Sequence, residues 1–110
     1  MPKGPESKIE KKLREYMESK GGMFPKAVSP GNAGWPDRNP CHPVSGPFYM
    51  ELKAPGKHSE EHQMLKSKEM AGFGYRVYAS VNSLRKGIEI IDDEINGVRP
   101  LDRRHKPVSA

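Results

Sequence analysis

The stretch Phe48-Tyr49-Met50-Glu51-Leu52-Lys53 is the clearest strand in the sequence, and Ala54-Pro55-Gly56 ends it. Residues two apart in a strand point to the same face, so Glu51 and Lys53 project together while Leu52 points into the core. Two charges at the end of an apolar strand have two interpretations. They form either an ordinary ion pair on a solvated face or part of a reaction site.

Helices and strands alternate along the rest of the chain. Apolar residues at helical spacing, a Gly-Gly stop and Ser caps predict helices over residues 5–20, over 59–71 with Ser59 as its cap, and from Ser83 onward. Strands are predicted at 23–28, around 36–37, at 48–53 and at 75–80. This order predicts an α/β fold in which helices flank a mixed central β-sheet.

Composition bounds the class of protein. The chain has 110 residues, enough for one domain, and only 34% of them are hydrophobic, so the core is thin. The formal charge of +5 favours a polyanionic partner such as nucleic acid. The single cysteine, Cys41, excludes an internal disulfide, and no apolar run approaches the ~20 residues of a membrane span. We therefore expect a cytoplasmic protein, in a bacterial or virus-infected cell, with no membrane partner.

Two further segments bear on organisation. Leu84, Ile88, Ile91 and Ile95 share one face of the third helix, which fits either the core or a dimer interface. Residues 98–110 are polar and basic, so we predict a domain over residues 1–97 and a flexible, basic C-terminal tail.

Asp37 favours the reaction-site interpretation of the Glu51 and Lys53 pair. It precedes Glu51 by 14 residues, enough for a reverse turn that brings the two carboxylates together. Two adjacent carboxylates repel unless a cation neutralises them, and hard oxygen ligands suit Mg²⁺ or Mn²⁺. Such an ion lowers the pKa of its water and binds a phosphate oxygen, while Lys53 can stabilise the developing charge. These are the requirements of phosphodiester hydrolysis.

The surrounding blocks resemble the VRR-NUC family, the virus-type replication-repair nuclease domain of the PD-(D/E)xK superfamily. The resemblance spans roughly residues 6–83. It is carried by Gly34-Trp35-Pro36-Asp37, by Glu51-Leu52-Lys53-Ala54-Pro55-Gly56-Lys57 and by the downstream Gln63, in this order.

The resemblance implies a restriction-endonuclease-like core and assigns the site residues. Asp37 and Glu51 would be metal ligands with the Leu52 backbone carbonyl as a third, Lys53 the catalytic lysine, and Gln63 a support for the metal or water. A first-helix glutamate would complete the acidic site. Glu10 is preferred for its spacing from Gly21, and Glu6, one turn earlier, stays an alternative.

The resemblance also implies a divalent-metal-dependent, structure-specific DNA endonuclease. We expect it to resolve Holliday (four-way) junctions as a homodimer, since resolution needs two cuts. Flaps, nicks and linear duplex remain alternative substrates, and a non-catalytic nucleic-acid-binding module is the main rival. The candidate DNA-contacting residues are basic: Lys26, Arg38, Lys57, Arg99, Arg103 and Arg104.

Two features have no place in this scheme. The stretch from Arg38 to Gly46 has no predicted role. His58-Ser59-Glu60-Glu61-His62 matches the inverted zinc-protease pattern, but a Ser59 cap would leave His58 outside the helix and out of line with His62.

Overall fold

The computed structural model describes residues 5–110, with side chains described from Ser7 onward. It contains three α-helices, α1 (Pro5–Ser19), α2 (Glu61–Gly72) and α3 (Leu84–Ile95). Four short strands are β1 (Cys41–His42), β2 (Gly46–Pro47), β3 (Tyr49–Leu52) and β4 (Val77–Val81). A 3₁₀ turn, Pro100–Asp102, follows α3. The expected mixture of helices and sheet is confirmed, whereas a restriction-endonuclease-like core stays a prediction.

The strands form two small sheets that isolated bridges join. β1 pairs with β2 antiparallel, and β3 pairs with β4 parallel. Antiparallel bridges join Met23 to Cys41, Lys26 to Arg38, and Arg38 to Met50. Backbone pairing therefore continues across four neighbouring chain segments, antiparallel on one side of β3 and parallel on the other. A mixed arrangement of this kind was expected.

The strand predicted at 23–28 is reduced to two bridges. The backbone of Met23 exchanges hydrogen bonds with Cys41 at 2.8 and 3.0 Å, and Ala27 donates to Asp37 at 2.9 Å. Between them Pro25 has no N–H to donate, although its carbonyl accepts from Asn39 at 3.0 Å. Pairing at this edge is therefore interrupted by the proline.

The stretch from Arg38 to Gly46 has a structural role, which the sequence did not reveal. It provides the bridges to Met23, Lys26 and Met50 and forms the β1–β2 hairpin. Within it, the Nδ1 of His42 accepts from the Val44 N–H at 3.0 Å, and its Nε2 lies 2.9 Å from the Lys20 carbonyl. The imidazole thus ties the hairpin to the end of α1.

The core lies between the sheet and the two helices α1 and α3. Ile9, Leu13 and Met17 of α1 are buried against it, as are Ile90 and Ile91 of α3. Leu84, Ile88 and Ile95 are partly buried against the same core. The apolar stripe of α3 therefore packs within the chain. Of the two interpretations of this helix face, core or dimer interface, it is the core.

Close packing of α1 on α3 depends on Gly87. A Cβ at this position would lie 2.6 Å from the methyl carbons of Leu13, closer than carbon atoms approach in proteins. Nearby, the Tyr16 hydroxyl donates to the Asp92 carboxylate. This hydrogen bond is the main reason why the pKa of Tyr16 is raised to about 12.

The helix ends follow local signals, with one correction. Ser83 caps α3 as expected, its hydroxyl accepting from the Lys86 N–H at 3.1 Å. Ser59 does not cap α2, because the cap is Glu60 and the helix begins at Glu61. The Ser59 hydroxyl accepts from the N–H of Ser80 instead, at 2.9 Å.

Residues 98–110 pack against the domain through hydrogen bonds and ion pairs. Arg103 donates to Glu94 at 2.7 Å and Arg104 donates to Asp93 at 2.8 Å. The Val108 N–H donates to the Val77 carbonyl at 2.8 Å. Arg103 and Arg104 therefore neutralise carboxylates on α3, and the backbone meets β4.

Candidate active site

Asp37 and Glu51 lie side by side on neighbouring backbone segments. Arg38 and Met50 exchange two backbone hydrogen bonds, at 3.1 and 3.0 Å, which sets Asp37 opposite Glu51 in the antiparallel register. The Leu52 N–H also donates to Asp37 Oδ1 at 3.0 Å. The chain between the two acids therefore turns back as the spacing predicted.

Glu51 is the point at which the polar groups of the site meet. Its side chain is 6% exposed, and Lys53 Nζ lies 3.8 Å from its Oε2. Gln63 Nε2 donates to the same oxygen at 3.0 Å. Strand periodicity explains why Glu51 and Lys53 meet, and helix α2 supplies Gln63 from the other side.

The orientation of the Gln63 amide follows from its two hydrogen bonds. Its Oε1 accepts from the Glu60 N–H at 2.7 Å, at the N-terminus of α2, while its Nε2 donates to Glu51. If the amide were flipped, its NH₂ group would face the Glu60 N–H and its oxygen would face the Glu51 carboxylate, and neither pair could form a hydrogen bond. Gln63 therefore holds Glu51 and caps the helix with one rigid group.

Arg38 links Asp37 to Glu10, a contact that was not predicted from the sequence. Its side chain is 11% exposed, and its Nη1 lies 3.7 Å from Asp37 Oδ2. Its Nε lies 4.0 Å from Glu10 Oε1, and its Nη1 donates to the Asp37 carbonyl at 2.8 Å. Adjacent residues in a strand point to opposite faces, so the sequence carried no signal for this contact.

Glu10 reaches the site through Arg38. Its side chain is half-buried on α1, where Arg14 Nε donates to it at 3.3 Å. It thus lies on the helix face that turns toward Arg38. Glu6, the alternative acid, has its side chain outside the described residues.

No group of three His, Cys, Asp or Glu side chains is arranged to hold a metal ion within the described part of the chain. The inverted zinc-protease pattern therefore has no ligand cluster there, and His58 lies before α2 as expected. Asp37 and Glu51 provide two carboxylates, not a complete cage of protein ligands.

The candidate DNA-contacting residues fall into two groups. Lys26, Lys57 and Arg99 are exposed. Arg103 is partly buried and paired with Glu94, and Arg104 is half-exposed but paired with Asp93. The Arg38 side chain is 11% exposed and faces Asp37 and Glu10. A phosphate backbone can reach the exposed group without breaking a buried ion pair, because the partner of Arg99 is the exposed Asp102.

A relative of this chain carries a nuclease name. The chain is 35% identical over 72 residues to "Putative nuclease p44" of Acyrthosiphon pisum secondary endosymbiont phage 1. The alignment covers 66% of this chain and 77% of the phage protein. The chain belongs to this nuclease family. No family model matches it, so the VRR-NUC resemblance of this nuclease-family chain rests on its motifs.

Between residues 5 and 110, no helix is both long and apolar enough to cross a membrane.

Proposed function

We propose that the chain is a divalent-metal-dependent DNA endonuclease whose active site is built on Asp37, Glu51 and Lys53. The observation that carries the proposal is the meeting of these residues: Asp37 accepts from the Leu52 N–H, between Glu51 and Lys53. The nuclease name of the relative supports the same reaction class. An ordinary surface ion pair would not need a second acid from another segment or a glutamine from a helix.

The donor set suits Mg²⁺ or Mn²⁺ better than zinc. Mg²⁺ keeps several waters and takes only one or two carboxylates together with substrate phosphates. Asp37 and Glu51, with the carbonyl of Leu52, the residue after Glu51, would hold such an ion. When bound, the ion would lower the pKa of a water and offset charge on the phosphate. The absence of a three-residue cluster in the described chain is consistent with this partial coordination.

The other polar residues would prepare these groups for the reaction. Lys53 lies close enough to Glu51 to place its ammonium beside the phosphate, where it would stabilise charge in the transition state. Gln63 would fix the orientation of the Glu51 carboxylate. Arg38 would hold Asp37 and Glu10 in place, a positioning role that its burial favours over DNA contact.

We further propose that the substrate is branched DNA, with a Holliday junction cut by a homodimer as the leading case. This part rests on the family resemblance and on the +5 charge. Lys26, Lys57 and Arg99 are exposed cations that would meet phosphates. Because α3 packs into the core, a dimer would use another face of the molecule.

Cleavage assays test the proposal directly. Purified protein is incubated with four-way junctions, flaps, nicked duplex and linear duplex, in Mg²⁺, Mn²⁺, Ca²⁺ or a chelator. We expect cleavage in Mg²⁺ or Mn²⁺, little in Ca²⁺ and none in the chelator. Asp37→Asn, Glu51→Gln and Lys53→Ala should each lower the rate about a hundredfold or more.

Matched controls use exposed residues of the same types. Asp102→Asn, Glu15→Gln and Lys11→Ala change the same chemical groups at exposed positions. They should leave the rate unchanged. Binding of Mn²⁺, measured by calorimetry, should weaken in Asp37→Asn but not in Asp102→Asn. Cleavage in the chelator would refute the metal requirement, and tight DNA binding without cleavage on every substrate would favour the binding-module alternative. Sedimentation with and without a junction would test the dimer.

A further inference from the structure

The parallel pairing of β3 with β4 contains a β-bulge opposite Glu51. Met50 pairs with Tyr78 and Leu52 pairs with Val81, so a single residue of β3 faces two residues of β4, Ala79 and Ser80. Ser80 has a φ of +53°, the left-handed region that L-residues other than glycine rarely adopt. Bulges and strained residues of this kind concentrate beside active sites.

The bulge frees backbone groups of Ser80 from the ladder. Tyr49 N–H donates to the Arg76 carbonyl, so regular pairing would bring Lys53 N–H to the Ser80 carbonyl. It donates instead to the Val81 carbonyl, at 3.0 Å. The displaced groups need other partners, because an unsatisfied backbone group inside a protein is costly.

Side chains from two other elements satisfy these groups. Ser59 Oγ accepts from the Ser80 N–H at 2.9 Å, and Ser80 Oγ accepts from the Ser59 N–H at 2.8 Å. Lys86 Nζ donates to the carbonyls of Ser80 and Ala79, at 3.0 and 3.3 Å. Burial lowers the pKa of Lys86, in keeping with its position under the bulge.

The reciprocal pair fixes the segment that connects β3 to α2. Ser59 lies directly before Glu60, the cap residue of α2. The N–H of Glu60 donates to Gln63 Oε1 at 2.7 Å. Asn82 Nδ2 holds the same segment by donating to the Lys57 carbonyl at 2.6 Å. Residues 60–63 thus connect Ser59, which is bonded to the bulge, to the Gln63 amide that holds Glu51.

We infer that Ser59 and Ser80, supported by Lys86, are positioning residues that place the start of α2 so that Gln63 holds Glu51 for the reaction. The inference rests on the proposed function for what the site does. This role explains why Ser80 occupies a left-handed backbone conformation that glycine would adopt at no steric cost. A glycine would lack the hydroxyl that accepts from Ser59.

Kinetics of Ser59→Ala and Ser80→Gly test this role, with Ser19→Ala as the control because its exposed hydroxyl donates to the Tyr16 carbonyl on α1. Each of the two variants should lower kcat about tenfold while KM for DNA changes little, since about 1 Å of misplacement is costly to catalysis. Ser59→Thr keeps the hydroxyl and should restore most of the rate. Equal loss in Ser59→Thr and Ser59→Ala would overturn the inference.

A double variant asks whether the serine acts through Gln63. In a Gln63→Ala background, Ser59→Ala should lower kcat no further, whereas an unchanged tenfold effect would contradict the inference. Thermal unfolding of each variant checks that the fold persists.

A measurement that does not depend on DNA cleavage tests this inference separately from the proposed function. Hydrogen exchange of the Gln63 side-chain amide, followed by NMR, should be slow in the natural protein. It should become about tenfold faster in Ser59→Ala and stay slow in Ser19→Ala. Failure of the natural protein to cut any DNA would refute the proposed function. Unchanged Gln63 exchange in Ser59→Ala would refute the positioning role whether or not the protein cuts DNA.

Discussion

Replacing Arg103 by Gln should destabilise the fold far more than the same change at Arg99. Arg103 Nη1 donates to Glu94 at 2.7 Å and is 2.8 Å from the Tyr78 hydroxyl, and its Nε donates to the Val98 carbonyl at 3.0 Å. Its side chain is 11% exposed and that of Glu94 is 1% exposed. Removing one partner of a buried ion pair costs about 3–5 kcal/mol.

The lower end of this range applies, because Glu94 keeps a second arginine. Arg76 Nε and Nη2 donate to the Glu94 carboxylate, at distances from 2.9 to 3.2 Å. We therefore expect Arg103→Gln to lower the free energy of unfolding by about 3 kcal/mol, a shift of roughly 10 °C or more in Tm for a domain of this size. Arg99 is 86% exposed and pairs with the exposed Asp102, so Arg99→Gln should cost less than about 0.5 kcal/mol.

Urea and thermal denaturation of the two variants, followed by circular dichroism, give the comparison. Equal and small losses would refute the view that residues 98–110 are held by a buried ion pair, and would favour a loose tail. Salt dependence of DNA binding, measured at a temperature at which both variants are folded, gives a second test. Arg99→Gln should lower the slope by about one counterion if Arg99 meets a phosphate, whereas Arg103→Gln should leave the slope unchanged.

Three further outcomes follow from the packing and the charges. Arg38→Ala should lower the cleavage rate while DNA affinity changes little; a large loss of affinity with an unchanged rate would return Arg38 to the DNA-contacting residues. Gly87→Ala should destabilise by about 1–3 kcal/mol, because the new Cβ would lie 2.6 Å from Leu13, and Leu13→Val in the same chain should recover part of the loss. Burial opposes the ionised form of Asp93, but its hydrogen bonds from Arg104 outweigh burial and lower its pKa below 3.8. The stability that this shift provides is present above pH 3.8 and is lost as the pH falls through the folded-state pKa, so acid unfolding of Asp93→Asn should depend less on pH in that range.

Much of the secondary structure could be predicted from the sequence because its signals are local. Apolar spacing and Gly21-Gly22 predicted α1 to within a residue of its end, and Ser83 marked the start of α3. Strand alternation predicted Glu51 and Lys53 on one face, and Lys53 lies directly after the last residue of β3. Where a second local signal competed, the prediction failed: Gln63 pairs with the Glu60 backbone, so Glu60 takes the cap expected at Ser59.

The candidate site was only partly visible in the sequence. The motif spacing allowed Asp37 to approach Glu51, and the family resemblance pointed to Gln63. Neither carried information on Arg38, whose guanidinium approaches Glu10 only after α1 packs on the sheet. Such a contact depends on relative placement of elements, which residue spacing does not encode.

The sequence by itself determined the three helices, the strand that carries Glu51, and the excess of positive charge. These follow from residue periodicity, capping and composition, each of which acts over a few neighbouring residues. Only the tertiary structure decided how that charge is used and how the strands align. Arg103 and Arg104 are paired with acids of α3, and the bulge at Ser80 sets the register beside Glu51. Both outcomes depend on groups far apart in the chain, because a buried charge or a displaced backbone group must find its partner wherever folding brings one within reach.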